Sequence, residues 1–256
     1  SMNINDFVLK KERQEKITML TCYDSTFAAV LESCKLDSIL VGDSLGMVIK
    51  GGKTTLTVSL DEIKYHLKCV SAKSGNTFII VDMPFSTFQE SPEKTFSHAA
   101  KLMEAGAQMV KLEGGDWLLE TIEFLTLRGI PVCTHLGMLP QSIHKIGYYR
   151  KFGSSEQEKE LLVKTATSLE SAGSELLILE LVNSSTSKQI TEVLKIPTVG
   201  IGSGKFVDGQ VLVLYDILGI GNKLSFAKNF LSESNSIEEC IKNYIQAVKK
   251  GTFPEN

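Results

Sequence analysis

Ser38-Ile39-Leu40-Val41-Gly42-Asp43 is a short apolar run that ends on an acid, and the chain repeats the arrangement. Phe78-Ile79-Ile80-Val81 ends on Asp82, Met109-Val110-Lys111-Leu112 on Glu113, and Leu176-Leu177-Ile178-Leu179 on Glu180. His135 takes the same place after Pro131-Val132-Cys133-Thr134. Runs this short, alternating with stretches of helical period, read as parallel strands buried on both faces. When such strands close into a barrel, their C-terminal ends converge on one mouth, where the reactive groups of this architecture lie. Four carboxylates, one Lys and one His in that mouth make a candidate divalent-metal site with a base beside it.

Strands are expected at 17–21, 38–42, 78–82, 109–113, 131–135, 175–180 and 197–201, with helical stretches between them. Ser59 and Glu62 form a capping box ahead of Ile63, Leu67 and Val70, and Ser91-Pro92 supplies a cap followed by Pro at the first helical position. Ala105-Gly106 leads to Glu113, and Ala172-Gly173 leads to Glu180, each Glu seven residues after its Gly. That is one helix end, turn and strand used twice. Seven βα-like units favour a (β/α)8 barrel over a doubly wound sheet. Gln210–Tyr215 is the candidate eighth strand, although Asp208 is equally suited to cap a helix there. Residues 1–16 read as a peripheral arm or capping helix, and the C-terminal stretch as a helix with a polar tail. With no linker or low-complexity segment, residues 1–256 are expected to form one barrel domain. Ser1 before Met2 reads as an expression remnant.

The chain carries 27 Lys and Arg against 30 Asp and Glu, a net charge of −3, so nothing points to nucleic acid or an acidic membrane surface. No run approaches the ~18 apolar residues of a spanning helix. Cys22, Cys34, Cys69, Cys133 and Cys240 are scattered and form no CxxC, as expected of free thiols in a reducing cytoplasm. Cys22 and Cys133 are the candidates for a thiolate nucleophile, against the commoner role of buried Cys as a small hydrophobe.

Strand parity sharpens the site. Residues i and i+2 share a face, so Lys111 should accompany Glu113 into the mouth, and Val41 should accompany Asp43. A Lys inside an apolar strand is costly unless it meets charge; the alternative is a Lys that snorkels outward among the helices. Asp43 and Asp82 are hard ligands suited to Mg²⁺, which takes few protein ligands and keeps waters or substrate oxygens. Taken singly, either Asp is as well read as a cap or turn residue. Zn²⁺ is disfavoured, because His66, His98, His135 and His144 form no close pair. His66 and His98 are expected at the surface or an interface. Gly200-Ile201-Gly202-Ser203-Gly204 is either a phosphate-cradling loop or a tight turn.

Assembled, these residues closely resemble the ketopantoate (3-methyl-2-oxobutanoate) hydroxymethyltransferase family. The matching segments are Thr21-Cys22-Tyr23-Asp24, Val41-Gly42-Asp43-Ser44-Leu45-Gly46-Met47, Asp82-Met83-Pro84-Phe85 and Met109-Val110-Lys111-Leu112-Glu113-Gly114-Gly115. They continue with Pro131-Val132-Cys133-Thr134-His135-Leu136-Gly137, Pro140-Gln141-Ser142, Leu179-Glu180, Gly200–Gly204, Asp208-Gly209-Gln210 and Phe226-Ala227-Lys228-Asn229-Phe230. The resemblance implies a (β/α)8 barrel of the phosphoenolpyruvate/pyruvate superfamily, cytoplasmic and assembled as a homo-oligomer, commonly a decamer. It implies hydroxymethyl transfer from 5,10-methylenetetrahydrofolate to 3-methyl-2-oxobutanoate through a Mg²⁺-stabilised enolate, giving 2-dehydropantoate for coenzyme A synthesis. By motif, Asp43 and Asp82 hold Mg²⁺, Glu113 supports it through water, Ser44 and Lys111 bind the oxo acid, Glu180 is the base, and His135 lines the site.

The chain departs from the family pattern in three places. Asn183-Ser184-Ser185-Thr186-Ser187 replaces a Pro- and Ala-rich helix start, Tyr215 stands for His before Asp216, and Gly219–Leu224 is a shortened connection. The competing classes are a Mg²⁺-dependent C–C lyase on an oxo acid, which often carries a loop Cys, and a non-catalytic metal-binding barrel, which has no need of Lys111 or Glu180.

Overall fold

The computed structural model describes residues 2–256, so Ser1 and its reading as a remnant lie outside the described residues. Eight parallel strands close into a barrel in chain order. They are β1 (Ile17–Thr21), β2 (Ser38–Val41), β3 (Phe78–Asp82), β4 (Met109–Glu113), β5 (Val132–Gly137), β6 (Leu176–Glu180), β7 (Thr198–Ile201) and β8 (Gly209–Leu212), and β8 pairs back onto β1.

The two-residue period of the strands sorts their side chains into two cores. Met19, Leu40, Ile80, Met109, Cys133, Ile178, Val199 and Val211 fill the barrel interior. Their neighbours, among them Leu20, Ile39, Val81, Val110, Leu112, Leu177 and Leu179, face outward and pack under helices. Burial on both faces is why these strands read as continuous apolar runs.

The N-terminal segment is more than a peripheral arm. Its helix α1 (Ile4–Glu12) starts at Asn3 with a complete capping box and lies across the N-terminal end of the strands. Phe7 is only 1% exposed and stands edge-on to Phe78, with ring centroids 4.9 Å apart. Lys11 Nζ reaches Asp208 Oδ2 at 3.1 Å.

Outside the barrel, α2 (Ser25–Ser33) follows β1. A short α3 (Leu45–Val48) and then α4 (Leu60–Ser71) follow β2. Next come α5 (Pro92–Glu104), α6 (Leu119–Leu127), the short α7 (Ile143–Ile146), α8 (Glu156–Ala172) and α9 (Ser184–Val193). Ser59 and Glu62 cap α4, whose Ile63, Leu67 and Val70 are buried, and Ser91 caps α5 with Pro92 at its start. The Ala-Gly repeat has a steric origin: Gly106 (φ +121°) and Gly173 (φ +120°) end their helices where a Cβ would strike Ser71 of α4 and Thr126 of α6.

The expected elements shift at three points. β7 passes to β8 through residues 202–208 alone, without a helix. β8 stops at Leu212, and α10 (Leu214–Ile217) takes the residues expected to prolong it, because Thr21 Oγ1 accepts the Leu214 N–H at 3.0 Å and turns the chain. Asp208 caps no helix, since its Oδ2 accepts the Thr198 N–H at 2.9 Å. Finally α11 (Ile237–Lys250) closes the outer layer, its buried Tyr244 hydroxyl donating to Met19 O at 2.9 Å. The tail beyond it is not merely polar: Phe253 is 9% exposed and edge-on to Phe230. Among the described residues, no helix is long and apolar enough to cross a membrane.

Candidate active site

Parallel register brings the strand-end acids and bases side by side. Asp82 pairs with Lys111, Glu113 with His135, and Gly137 with Glu180. In β4, Met109, Lys111 and Glu113 alternate onto the inner face, and the Lys111 ammonium sits inside the barrel, 3.1 Å from Asp82 Oδ1. It does not snorkel.

Asp43 reaches the same mouth by another route. Leu40 faces the barrel interior and Val41 the helices, so Val41 does not share the face of Asp43. The parity argument fails here because β2 ends at Val41 and Ser44 is already helical (φ −53°, ψ −19°). That turn, not the strand, aims Asp43 inward. Its N–H then donates to Asp82 Oδ2 at 2.9 Å.

Gln141 ties the acids together, a role that the sequence reading missed. Its Nε2 donates to Asp43 Oδ2 at 2.8 Å and to Met83 O at 3.0 Å, and its N–H donates to Glu113 Oε2 at 3.0 Å. The only local signal is a Pro-led turn soon after His135. Tyr23 was likewise given no role: its hydroxyl lies 2.7 Å from Ser44 Oγ, and its ring stacks on Tyr215 with centroids 5.7 Å apart.

The hydrogen bonds set the protonation of His135. Lys111 Nζ lies 2.8 Å from His135 Nδ1, and an ammonium only donates. Nδ1 therefore accepts, and the ring proton is on Nε2. Nε2 lies 2.8 Å from Met138 O, to which the neutral imidazole donates, and 3.0 Å from Glu180 Oε2, a close contact that is not aligned for a hydrogen bond. One oxygen of Glu180 thus rests against the imidazole and the other is left for chemistry. The Glu180 side chain, 13% exposed, faces the cavity.

Charge is out of balance in this mouth. Burial raises the acid of Asp43 well above its ordinary value, and the neighbouring Asp82 and Glu113 raise it further. Burial likewise raises Glu113. Burial alone would lower Lys111, but Asp82, Glu113 and Asp43 outweigh it and hold the ammonium firmly protonated. Three buried carboxylates thus face one permanent cation. Asp82 Oδ1 is buried without a hydrogen bond, since the 3.1 Å approach of Lys111 satisfies it by charge but not by angle. An orphaned carboxylate oxygen beside surplus negative charge fits a hard divalent cation. Among the described residues no group of three His, Cys, Asp or Glu side chains forms a metal cage.

Other candidates fall to packing. Burial pushes the Cys22 thiol up to about 12 and raises Cys133 still further, so neither is a thiolate. In the Gly-rich loop, Ser203 Oγ donates to Leu179 O at 2.7 Å and accepts the Val182 N–H at 3.1 Å, which makes the loop a clasp between β6 and β7. His66 and His98 are half-buried and bonded to the carbonyls of Tyr23 and Thr87 at 2.7 and 2.8 Å, so they anchor loops.

Gly137 lets β5 cross the end of β6. At φ +91° a Cβ would fall on the Glu180 carbonyl oxygen, to which the Met138 N–H donates at 2.8 Å. Gly137→Ala should cost roughly 1–3 kcal/mol of backbone strain and displace the His135–Glu180 pair. A thermal melt and a turnover assay should both fall, and an unchanged melt would show that the crossing tolerates a methyl group.

These groups line one cavity of about 770 Å³. A family model described as ketopantoate hydroxymethyltransferase matches residues 1–256. The 3-methyl-2-oxobutanoate hydroxymethyltransferase of Nitrosospira multiformis is 52% identical over 257 aligned positions, covering 99% of this chain and 98% of the relative. That of Nitrosomonas europaea is 50% identical over 245 positions, covering 95% and 91%. Among solved structures, a phosphonopyruvate hydrolase complex with oxalate and Mg++ matches with a TM-score of 0.62 at 11% identity, over 83% of this chain and 81% of that one. A 2,3-dimethylmalate lyase of the PEP mutase/isocitrate lyase superfamily matches with a TM-score of 0.59 at 14% identity, over 95% and 98%. The structural likenesses speak for the barrel alone. Identity at half of all positions from end to end goes further, and with it the chain belongs to the ketopantoate hydroxymethyltransferase family.

Proposed function

We propose that this enzyme transfers the one-carbon unit of 5,10-methylenetetrahydrofolate to C3 of 3-methyl-2-oxobutanoate, giving 2-dehydropantoate, the first committed step towards pantothenate and coenzyme A. The observation that carries the reading is Glu180, one oxygen in contact with His135 and the other free, in the same cavity as Lys111 and three buried carboxylates.

Asp43 and Asp82 would hold Mg²⁺, with Glu113 supporting it through water; when bound, the ion acts as a Lewis acid on the 2-oxo acid. Ser44 Oγ, oriented by Tyr23, and the Lys111 ammonium bind the acid. Leu40, Ile178, Ile201 and Val211 supply apolar wall for its isopropyl end. The free oxygen of Glu180 takes the C3 proton, and Lys111 offsets the negative charge that grows on the keto oxygen. Water adds to the methylene carbon and both of its C–N bonds to the folate break, its two protons passing to the two folate nitrogens. The carbanion bonds to the carbon so released at the oxidation level of formaldehyde, and the water-derived oxygen takes the C3 proton back from Glu180 to become the hydroxyl of the product. No thiolate is needed, in keeping with the buried cysteines.

The same reading makes the chain one barrel domain that works in the cytoplasm as a homo-oligomer, the decamer of the family. The test is isotope exchange at C3 of 3-methyl-2-oxobutanoate in D₂O, followed by folate-dependent formation of 2-dehydropantoate, each with and without Mg²⁺. Exchange and product should both require the ion. Cleavage of an oxo acid without folate would replace this reading by the lyase.

A further inference from the structure

Apart from the acids at its floor, the cavity has a second half that the oxo acid does not use. Its volume of about 770 Å³ is that of a site for a drug-sized ligand, far larger than five carbons fill. On one side stand Met47 and Val48 of α3, and on the other Ile220, Leu224 and Phe226 of the segment after α10. Met47, Val48, Ile220 and Leu224 are 36–55% exposed, an uncovered apolar slot at the mouth of a reactive site.

Asp216 lines this slot. It is half-buried, and among the described residues no side chain or backbone donor bonds its carboxylate and no cation pairs with it. Burial alone therefore pushes its acid up to about 6, with no opposing charge. It is far enough from balance to want a partner, yet still ionised at neutral pH. Unlike Asp24 or Asp208, which cap a helix and clasp a strand, it has no structural work.

A planar carboxylate that lacks a cation is best satisfied by two N–H groups in line, one to each oxygen. A flat ligand with that edge and two apolar faces is an amino-pyrimidinone ring such as the head of a reduced pterin. We propose that Asp216 reads the 2-amino and ring N–H edge of the folate, with its bicyclic head in the slot between α3 and the segment after α10. This rests on the hydroxymethyltransferase reading and adds to it the place and polarity of the second substrate. The pterin edge points to Asp216, the reactive methylene faces Glu180 and Lys111, and the glutamyl tail leaves through the open side.

The test separates this inference from the function itself. Tetrahydrofolate is titrated calorimetrically into the whole protein with Mg²⁺ and oxo acid present. Asp216→Asn should weaken its binding by ~10–100-fold, the usual worth of hydrogen bonds to a charged group. C3 deuterium exchange without folate should stay at the wild-type rate, which also shows the variant to be folded. As a second measure, wild type should prefer tetrahydropterin over its 2-desamino analogue by ~10-fold or more, and Asp216→Asn should lose that preference. Equal folate affinity in the two proteins, or equal preference, overturns the assignment. A fall in exchange on Asp216→Asn also overturns it, because Asp216 would then serve the oxo acid. Absence of exchange in the wild type would instead reject the hydroxymethyltransferase reading.

Discussion

Glu180→Gln should exchange deuterium into C3 of 3-methyl-2-oxobutanoate ~10²–10⁴-fold more slowly than wild type, the usual worth of a positioned general base. That is about 3–5 kcal/mol of barrier. The substitution preserves the surroundings: Gln keeps the shape of Glu, whose Oε2 touches His135 Nε2 at 3.0 Å in the wild type. Asp43, Asp82 and Lys111 are untouched, so Mg²⁺ and oxo-acid dissociation constants should change little. Exchange measures proton removal before folate enters. A variant that exchanged near the wild-type rate would hand the role of base to another group in the mouth, and a variant that lost binding as well would make Glu180 a ligand.

Lys111→Met should destabilise the metal-free protein by about 3–5 kcal/mol near pH 8, as removal of one partner from a buried charge network does. Met keeps the length and removes the ammonium that stands 3.1 Å from Asp82 Oδ1 and 2.8 Å from His135 Nδ1. The sign of the pH dependence follows from the acids. Asp43 and Glu113 have folded values raised above 3.8 and 4.5, so protonation favours the fold. Their contribution is whole below those values and is lost as pH rises through the raised folded ones. Lys111 is charged throughout this window, so it offsets the loss in wild type and cannot in the variant. The difference in unfolding free energy between the two, measured with urea and EDTA, should therefore be smaller at pH 5 than at pH 8, and Mg²⁺ should narrow it at pH 8. A deficit below 1 kcal/mol, or one independent of pH, would show that the carboxylates do not depend on Lys111.

The barrel was open to reading because two-sided burial is written locally. A strand such as Phe78–Asp82 needs only its own apolar run to be recognised, and all seven expected strands occur within a residue or two of their places. The acids at their ends could be seen too, since the C-terminal ends of barrel strands share one mouth. Where the chain leaves regular structure, local pattern stopped helping. Val41 and Asp43 part company because Gly42 ends the strand. Val213–Tyr215 was expected to prolong a strand but turns into α10, where the Leu214 N–H donates to Thr21 Oγ1, 193 residues away.

Composition, hydrophobic period and strand-end chemistry thus carried the architecture and named the acids, the Lys and the His. Tertiary structure alone decided how they act on one another. The clamp of Gln141 on Asp43 spans 98 residues, the tautomer of His135 depends on a lysine from the neighbouring strand, and the carboxylate surplus exists only because two strands and a turn bury their acids together. Each of these is a distance between residues remote in sequence. Such distances follow from barrel register and closure, and periodicity along a single strand contains neither.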